Sequence, residues 1–134
     1  MLELSERSLR LDPSIICITE SWLSSLISDN YVHLEDYTVF RNDRNENGGG
    51  IIIYAKSALN YKIFCSTVVA KSDILILYSE EKDIYFFAIY HPHWGQTKAH
   101  QEVIDFLHLK LSHLKETSKV IICGDFNDLR LHID

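Results

Sequence analysis

Val120-Ile121-Ile122-Cys123-Gly124-Asp125-Phe126-Asn127 is the stretch on which the reading of this chain turns. Residues 120–123 are a short continuous apolar run rich in β-branched side chains, the pattern of a strand buried on both faces. Gly124 breaks the run and lets the backbone turn sharply before Asp125. If the chain stays extended, Asp125 and Asn127 point to the same side, because strand side chains alternate. Ile15-Ile16-Cys17-Ile18-Thr19-Glu20 has the same design, an apolar strand followed at once by a carboxylate. In α/β sheets ligands gather beyond the carboxyl ends of the central strands. Hard cations such as Mg²⁺ take oxygen ligands and keep several waters, so one or two carboxylates suffice. A single carboxylate after a strand is ordinarily a turn or capping residue. Two such ends, however, predict that Glu20 and Asp125 face one cleft.

Outward from these runs the order reads helix, strand, loop, several strands, helix, strand. Residues 2–11 carry Leu2, Leu4, Leu9 and Leu11 in a helical pattern that stops at Asp12-Pro13. Residues 14–18 read as a strand buried on both faces, and residues 23–36 as polar and irregular. The turn Gly48-Gly49-Gly50 launches Ile51-Ile52-Ile53-Tyr54; it lacks the Gly-Lys-Ser/Thr ending of a phosphate loop. Residues 61–69, 73–79 and 84–90 are β-rich, the last two joined as a hairpin by the charged turn 80–83. Residues 93–97 read as a loop with Thr97 as helix N-cap. Residues 98–115 then form a helix whose apolar stripe is Val103, Leu107, Leu111 and Leu114.

Composition narrows the classes. With 134 residues and 46% apolar content, residues 1–134 read as one small domain with a real core. No apolar run approaches a membrane span, and no signal peptide opens the chain. The net charge of −6 argues against a broad basic nucleic-acid face. It is compatible with an enzyme that meets phosphate through a bound cation. Cys17, Cys65 and Cys123 are odd in number and far apart, which predicts reduced core residues and an intracellular protein, nuclear or cytoplasmic. The histidines of Tyr90-His91-Pro92-His93-Trp94 read as a solvated loop. His100, His108, His113 and His132 read as surface residues, Trp22 as a packing residue, and residues 128–134 as a tail.

Several segments together resemble the endonuclease/exonuclease/phosphatase superfamily. They are Ile18-Thr19-Glu20-Ser21-Trp22-Leu23, Tyr37 with Arg41-Asn42-Asp43-Arg44, Gly48-Gly49-Gly50-Ile51-Ile52-Ile53-Tyr54, and Gly124-Asp125-Phe126-Asn127. Within the superfamily they are most similar to the apurinic/apyrimidinic-type endonuclease domains of non-LTR (LINE-like) retrotransposons. The resemblance implies an α/β fold, a DNase I-like four-layer α/β sandwich, and Mg²⁺- or Mn²⁺-dependent phosphodiester hydrolysis with DNA as substrate. It makes Glu20 a metal ligand and Asp125 the residue that orients or deprotonates water. Asn127 hydrogen-bonds the scissile phosphate, and Tyr90 touches it. Arg41 and the Gly48–Gly50 loop match by motif in a structural or substrate-facing role. The family's first-strand Asn, its later Asp and its C-terminal Ser-Asp-His motif have no match here. The expectation is therefore the first half of the fold: a truncated domain inactive alone, whose partner is the missing half or a reverse transcriptase in a longer protein. The alternatives are a phosphatase or lipid phosphodiesterase of the same superfamily, and a non-enzymatic remnant that binds a partner.

Overall fold

The computed structural model describes residues 2–44, 48–92 and 97–127. Its elements are α1 (Leu2–Leu11), β1 (Ile15–Thr19), β2 (Tyr37–Asn42), β3 (Ile51–Lys56), β4 (Lys62–Val69), β5 (Ser72–Ser79), β6 (Ile84–Tyr90), α2 (Thr97–Ser112) and β7 (Lys119–Asp125). Two sheets form. The first has the order β1-β3-β2 and is antiparallel throughout. The second has the order β4-β5-β6-β7, in which only β6 and β7 are parallel. A parallel pair needs a long crossover, and α2 supplies it.

Side-chain alternation in the strands sorts the core into three clusters and so into four layers. Ile51 and Ile53 of β3 meet Leu75 and Leu77 of β5 and Phe86, Ala88 and Tyr90 of β6 between the sheets. Ile74, Ile76, Phe87 and Ile89 face the other way, onto Val103 and Leu107 of α2. Ile52 and Tyr54 turn outward from the first sheet, under Val32, Leu34 and Tyr37, with Leu4 of α1 packed beside them. Strands β3 and β5 are covered on both faces, which is why their apolar runs are continuous. Each buried Val, Leu, Ile or Phe side chain among them contributes roughly 1.5–3 kcal/mol. The result is the mixed α/β sandwich that the sequence predicts.

Several local expectations are corrected. β1 begins one residue later than expected and is half-buried, because it is an edge strand paired with β3 alone. β7 is also an edge strand, and Val120, Ile121 and Ile122 are 37%, 46% and 37% exposed. An apolar run reads as doubly covered, but no described element lies beyond β7. Gly124 does not end this strand. It pairs with Ile89 at φ +140°, and a Cβ there would lie 1.9 Å from the Ile89 carbonyl oxygen. The glycine therefore serves close strand approach rather than a turn.

β2 was not expected as a strand. Its Tyr37 and Val39 face the outer cluster and its Phe40 the inner one, an alternation masked by the polar Thr38, Arg41 and Asn42. In α1 the inward residues are Leu4 and Ser8, while Leu9 and Leu11 are exposed. α2 ends at Ser112, earlier than expected, with Leu111 and Leu114 half-buried against its cluster. Thr97 lies inside that helix; its side chain, residues 93–96 and the tail 128–134 lie outside the described residues.

Candidate active site

At one end of the sandwich the exits of β1, β6 and β7 converge with the start of β5. Glu20 follows β1 directly and holds a left-handed φ of +53°, a conformation that costs a non-glycine residue about 1–2 kcal/mol. The chain after it is tied to the glycine turn, Ser21 N donating to Gly50 O at 3.3 Å and Trp22 N to Gly49 O at 3.1 Å. The Tyr90 hydroxyl donates to Glu20 Oε1 at 2.8 Å, a bond from the second sheet to the end of the first. Tyr90 is in register with Asp73 on β5 and with Asp125 on β7. Partners in register share a face, so all three side chains point inward.

Beyond Asp125 the chain does not stay extended. Asn127 has φ +44°, and its backbone N–H donates to Asp125 Oδ1 at 3.1 Å. Its side-chain Nδ2 donates to the His91 carbonyl at 2.6 Å, while His91 N donates to the Asp125 carbonyl at 2.8 Å. Asp125 and Asn127 are thus brought together by hydrogen bonds around His91 rather than by strand alternation.

The site's electrostatics follow from this packing. Burial, the Glu20 hydrogen bond and the charges of Glu20 and Asp125 push the Tyr90 hydroxyl up to about 12, with Arg44 pulling the other way. Tyr90 is therefore a neutral donor throughout the physiological range. Asp73 is fully buried, and burial raises its pKa against the Gly50 N–H and Arg44, which lower it. Cys17 and Cys123 meet where β1 passes β7, and the hydrogen bond to Cys123 together with burial pushes the Cys17 thiol up. All three cysteines are free, and they are half-buried rather than in the core.

Each site residue expected from the sequence therefore lies in one neighbourhood: Glu20, Tyr90, Asp125 and Asn127. Arg41 does not. Its guanidinium is consumed by Asp29, Asp43 and the carbonyls of Ser24 and Ile27, so it staples the loop after β1. Trp22 is mostly exposed, and its ring lies over Gly48, where a Cβ would sit 3.0 Å from it. His91 is not a solvated loop residue. It is fully buried, with Nδ1 2.6 Å from Ser72 Oγ and its ring edge-on to His100, which is likewise not a free surface residue. Sequence reasoning missed Asp73 altogether. Its one signal is a carboxylate set at the head of the apolar run Ile74-Leu75-Ile76-Leu77.

Among the described residues no cluster of three or more His, Cys, Asp or Glu side chains is gathered for a metal. The donors present are oxygens. Glu20 is exposed with one carboxylate oxygen on Tyr90 and the other open, and Asp125 lies one strand over. That set fits a hard, largely hydrated divalent cation and does not fit zinc.

Among proteins of curated function, none matches the sequence. Solved structures match it at the level of the fold. An AP endonuclease from Archaeoglobus fulgidus aligns with a TM-score of 0.65 and 15% identity, over 92% of this chain and 51% of its own. D. rerio TDP2 complexed with a single-strand DNA product aligns with a TM-score of 0.52 and 18% identity, over 94% and 52%. The human Nocturnin catalytic domain with bound sulfate gives a TM-score of 0.55 and 14% identity, over 92% and 55%. The chain thus spans about half the length of the structures it matches. With that family's sequence profile matching residues 1–134 throughout, the chain belongs to the Endonuclease/Exonuclease/phosphatase family.

Proposed function

We propose that this chain is the DNA endonuclease portion of a retrotransposon-type protein, built for metal-dependent phosphodiester hydrolysis and incomplete as a catalyst alone. The observation that carries the reading is the 2.8 Å Tyr90–Glu20 bond, with Asp125 in register beside Tyr90. It sets an exposed carboxylate, a neutral hydroxyl and a second carboxylate near one another, which supports the reading of Glu20 as the metal ligand.

In this reading Glu20 holds Mg²⁺ or Mn²⁺, which when bound offsets charge on the phosphoryl oxygens. Asp125 orients the attacking water and takes its proton. Asn127, fixed through one amide hydrogen on His91, presents the other to a phosphate oxygen. Tyr90 spends its one hydroxyl proton on Glu20, which it orients, and because it keeps that proton it adds no charge where it touches the phosphate. The single-strand DNA product in the D. rerio TDP2 complex supports a DNA substrate. The half-length match and the solvent-open Val120, Ile121 and Ile122 of β7 support completion by a further segment. That segment is the rest of the domain, in a longer protein that also carries a reverse transcriptase. The free cysteines suit a nuclear or cytoplasmic protein. No described helix is long and apolar enough to cross a membrane.

Calorimetric titration of the chain with Mn²⁺ and Mg²⁺ tests the reading. Weak binding is expected, lost in Glu20→Gln. Equal binding by wild type and variant would remove Glu20 from the ligand set and overturn the role given to it here; no binding by the wild-type chain would count against the metal-dependent reading.

A further inference from the structure

Arg44 is the second arginine of the Arg41-Asn42-Asp43-Arg44 segment, and unlike Arg41 it pairs with Asp73, the register partner of Tyr90. Its side chain is 21% exposed, with Nε 3.4 Å from Asp73 Oδ1 and Nη2 donating to the Lys71 carbonyl. Asp73 Oδ2 accepts the Gly50 N–H at 3.0 Å. Gly49 makes room for the arrangement, because a Cβ there would lie 2.7 Å from Arg44 Cδ and 3.0 Å from Asp73 Oδ2. Asp73 is in register with Tyr90, and the Arg44 charge is felt at the Tyr90 hydroxyl.

Burying a carboxylate costs several kcal/mol, and an apolar pair of similar volume is often as stable. A buried Asp73 is therefore poorly explained by stability alone. It is well explained if its work is to fix a guanidinium. Glu20 and Asp125 are the carboxylates beside Tyr90 at this end of the sandwich, and a guanidinium there would add to a bound cation a second positive charge for an anionic diester. A guanidinium presents paired donors in a plane that matches phosphate oxygens.

We propose that Arg44, held from behind by Asp73, binds a non-bridging oxygen of a nucleic-acid phosphodiester, with Asp73 as its positioning residue. The proposal rests on the phosphodiesterase reading above. It predicts that Arg44 contributes one phosphate contact to binding.

The probe is a labelled single strand of about ten nucleotides, its binding to the full chain followed by fluorescence anisotropy across a salt series. Arg44→Gln/Asp73→Asn removes both charges, leaves the net charge unchanged and strands no buried carboxylate. It should bind about tenfold more weakly and flatten the slope of log K against log salt by about 0.7, the share of one phosphate contact on a single strand. Arg44→Lys should keep the slope and lose affinity, since an ammonium cannot reproduce the fork. Wild-type affinity and slope in the double variant would overturn the role of Arg44 and leave the phosphodiesterase reading standing. Absence of binding by the wild-type chain would overturn both. If circular dichroism shows the double variant unfolded, Arg44→Lys decides alone, and affinity within twofold of wild type overturns the proposal.

Discussion

Gly124→Ala is the substitution that asks most of this structure. The added Cβ would point in the plane of the second sheet, 1.9 Å from Ile89 O, 2.8 Å from Ile89 C and 2.9 Å from Ile89 N. Carbon–oxygen contacts between strands sit at roughly 3.3 Å or more, so β7 must retreat from β6 by about 1.4 Å. A retreat of that size stretches the 2.8 Å His91 N–Asp125 O bond beyond hydrogen-bonding range. Losing it and one flanking ladder bond costs about 1–3 kcal/mol. Holding alanine at φ +140° costs about 1–3 kcal/mol more if the backbone does not relax. Relaxation trades one term against the other, so about 3 kcal/mol is expected, a large share of the roughly 5–15 kcal/mol typical of a domain. Urea unfolding of the two proteins, compared at equal m-value, measures it. A loss under about 0.5 kcal/mol would refute the close approach of β7 to β6, and with it the registered placement of Asp125 beside Tyr90.

Tyr90 gives a pH signature. Its folded pKa of about 12 lies above the ordinary 10.0, so the native state holds the proton more tightly than the unfolded chain. The stability it contributes is complete below pH 10 and is lost as pH rises from there through about 12. Tyr90→Phe should flatten that segment of the stability profile and remove the highest-titrating phenol from an ultraviolet titration; an unchanged titration would refute the buried Tyr90–Glu20 bond. In a plasmid-nicking assay with Mg²⁺, the chain alone should show no useful activity, because each missing preorganised group commonly costs ~10²–10³-fold. Metal-dependent nicking abolished by Asp125→Ala would show instead that the residues present suffice.

The fold was legible wherever a run was buried on both faces. Ile51–Tyr54 and Ile74–Leu77 carry apolar side chains to two different clusters, as a strand covered on both faces requires. β7 misled for the same reason: its run looks covered, but the sequence does not say what lies across its edge. β2 was hidden because Arg41 and Asn42, polar residues at its end, are spent on internal bonds, Asn42 reaching Thr67 O and Ile74 O. The candidate site was legible as residue types after strands. Its wiring was not, since Tyr90 and Glu20 stand 70 residues apart and Arg44 reaches Asp73, whose place at the head of an apolar run does not name its partner. The roles of His91 likewise come from its carbonyl and its partner Ser72, which depend on tertiary packing alone.

Because Glu20 hangs from one sheet and Tyr90 and Asp125 from the other, the cleft works as a vernier for the alignment of the two sheets. A slide of one sheet past the other by an ångström, too small to disturb either ladder, changes the Tyr90–Glu20 separation by a similar amount. What governs that slide is the set of side chains meshed between the sheets, Ile51, Ile53, Leu75 and Leu77 among them. Close-packed interiors transmit such displacements rather than absorb them. Volume changes at those inner positions, remote from any charge, therefore act as a fine adjustment on the cleft, and the hydroxyl-to-carboxylate distance is where the setting is read.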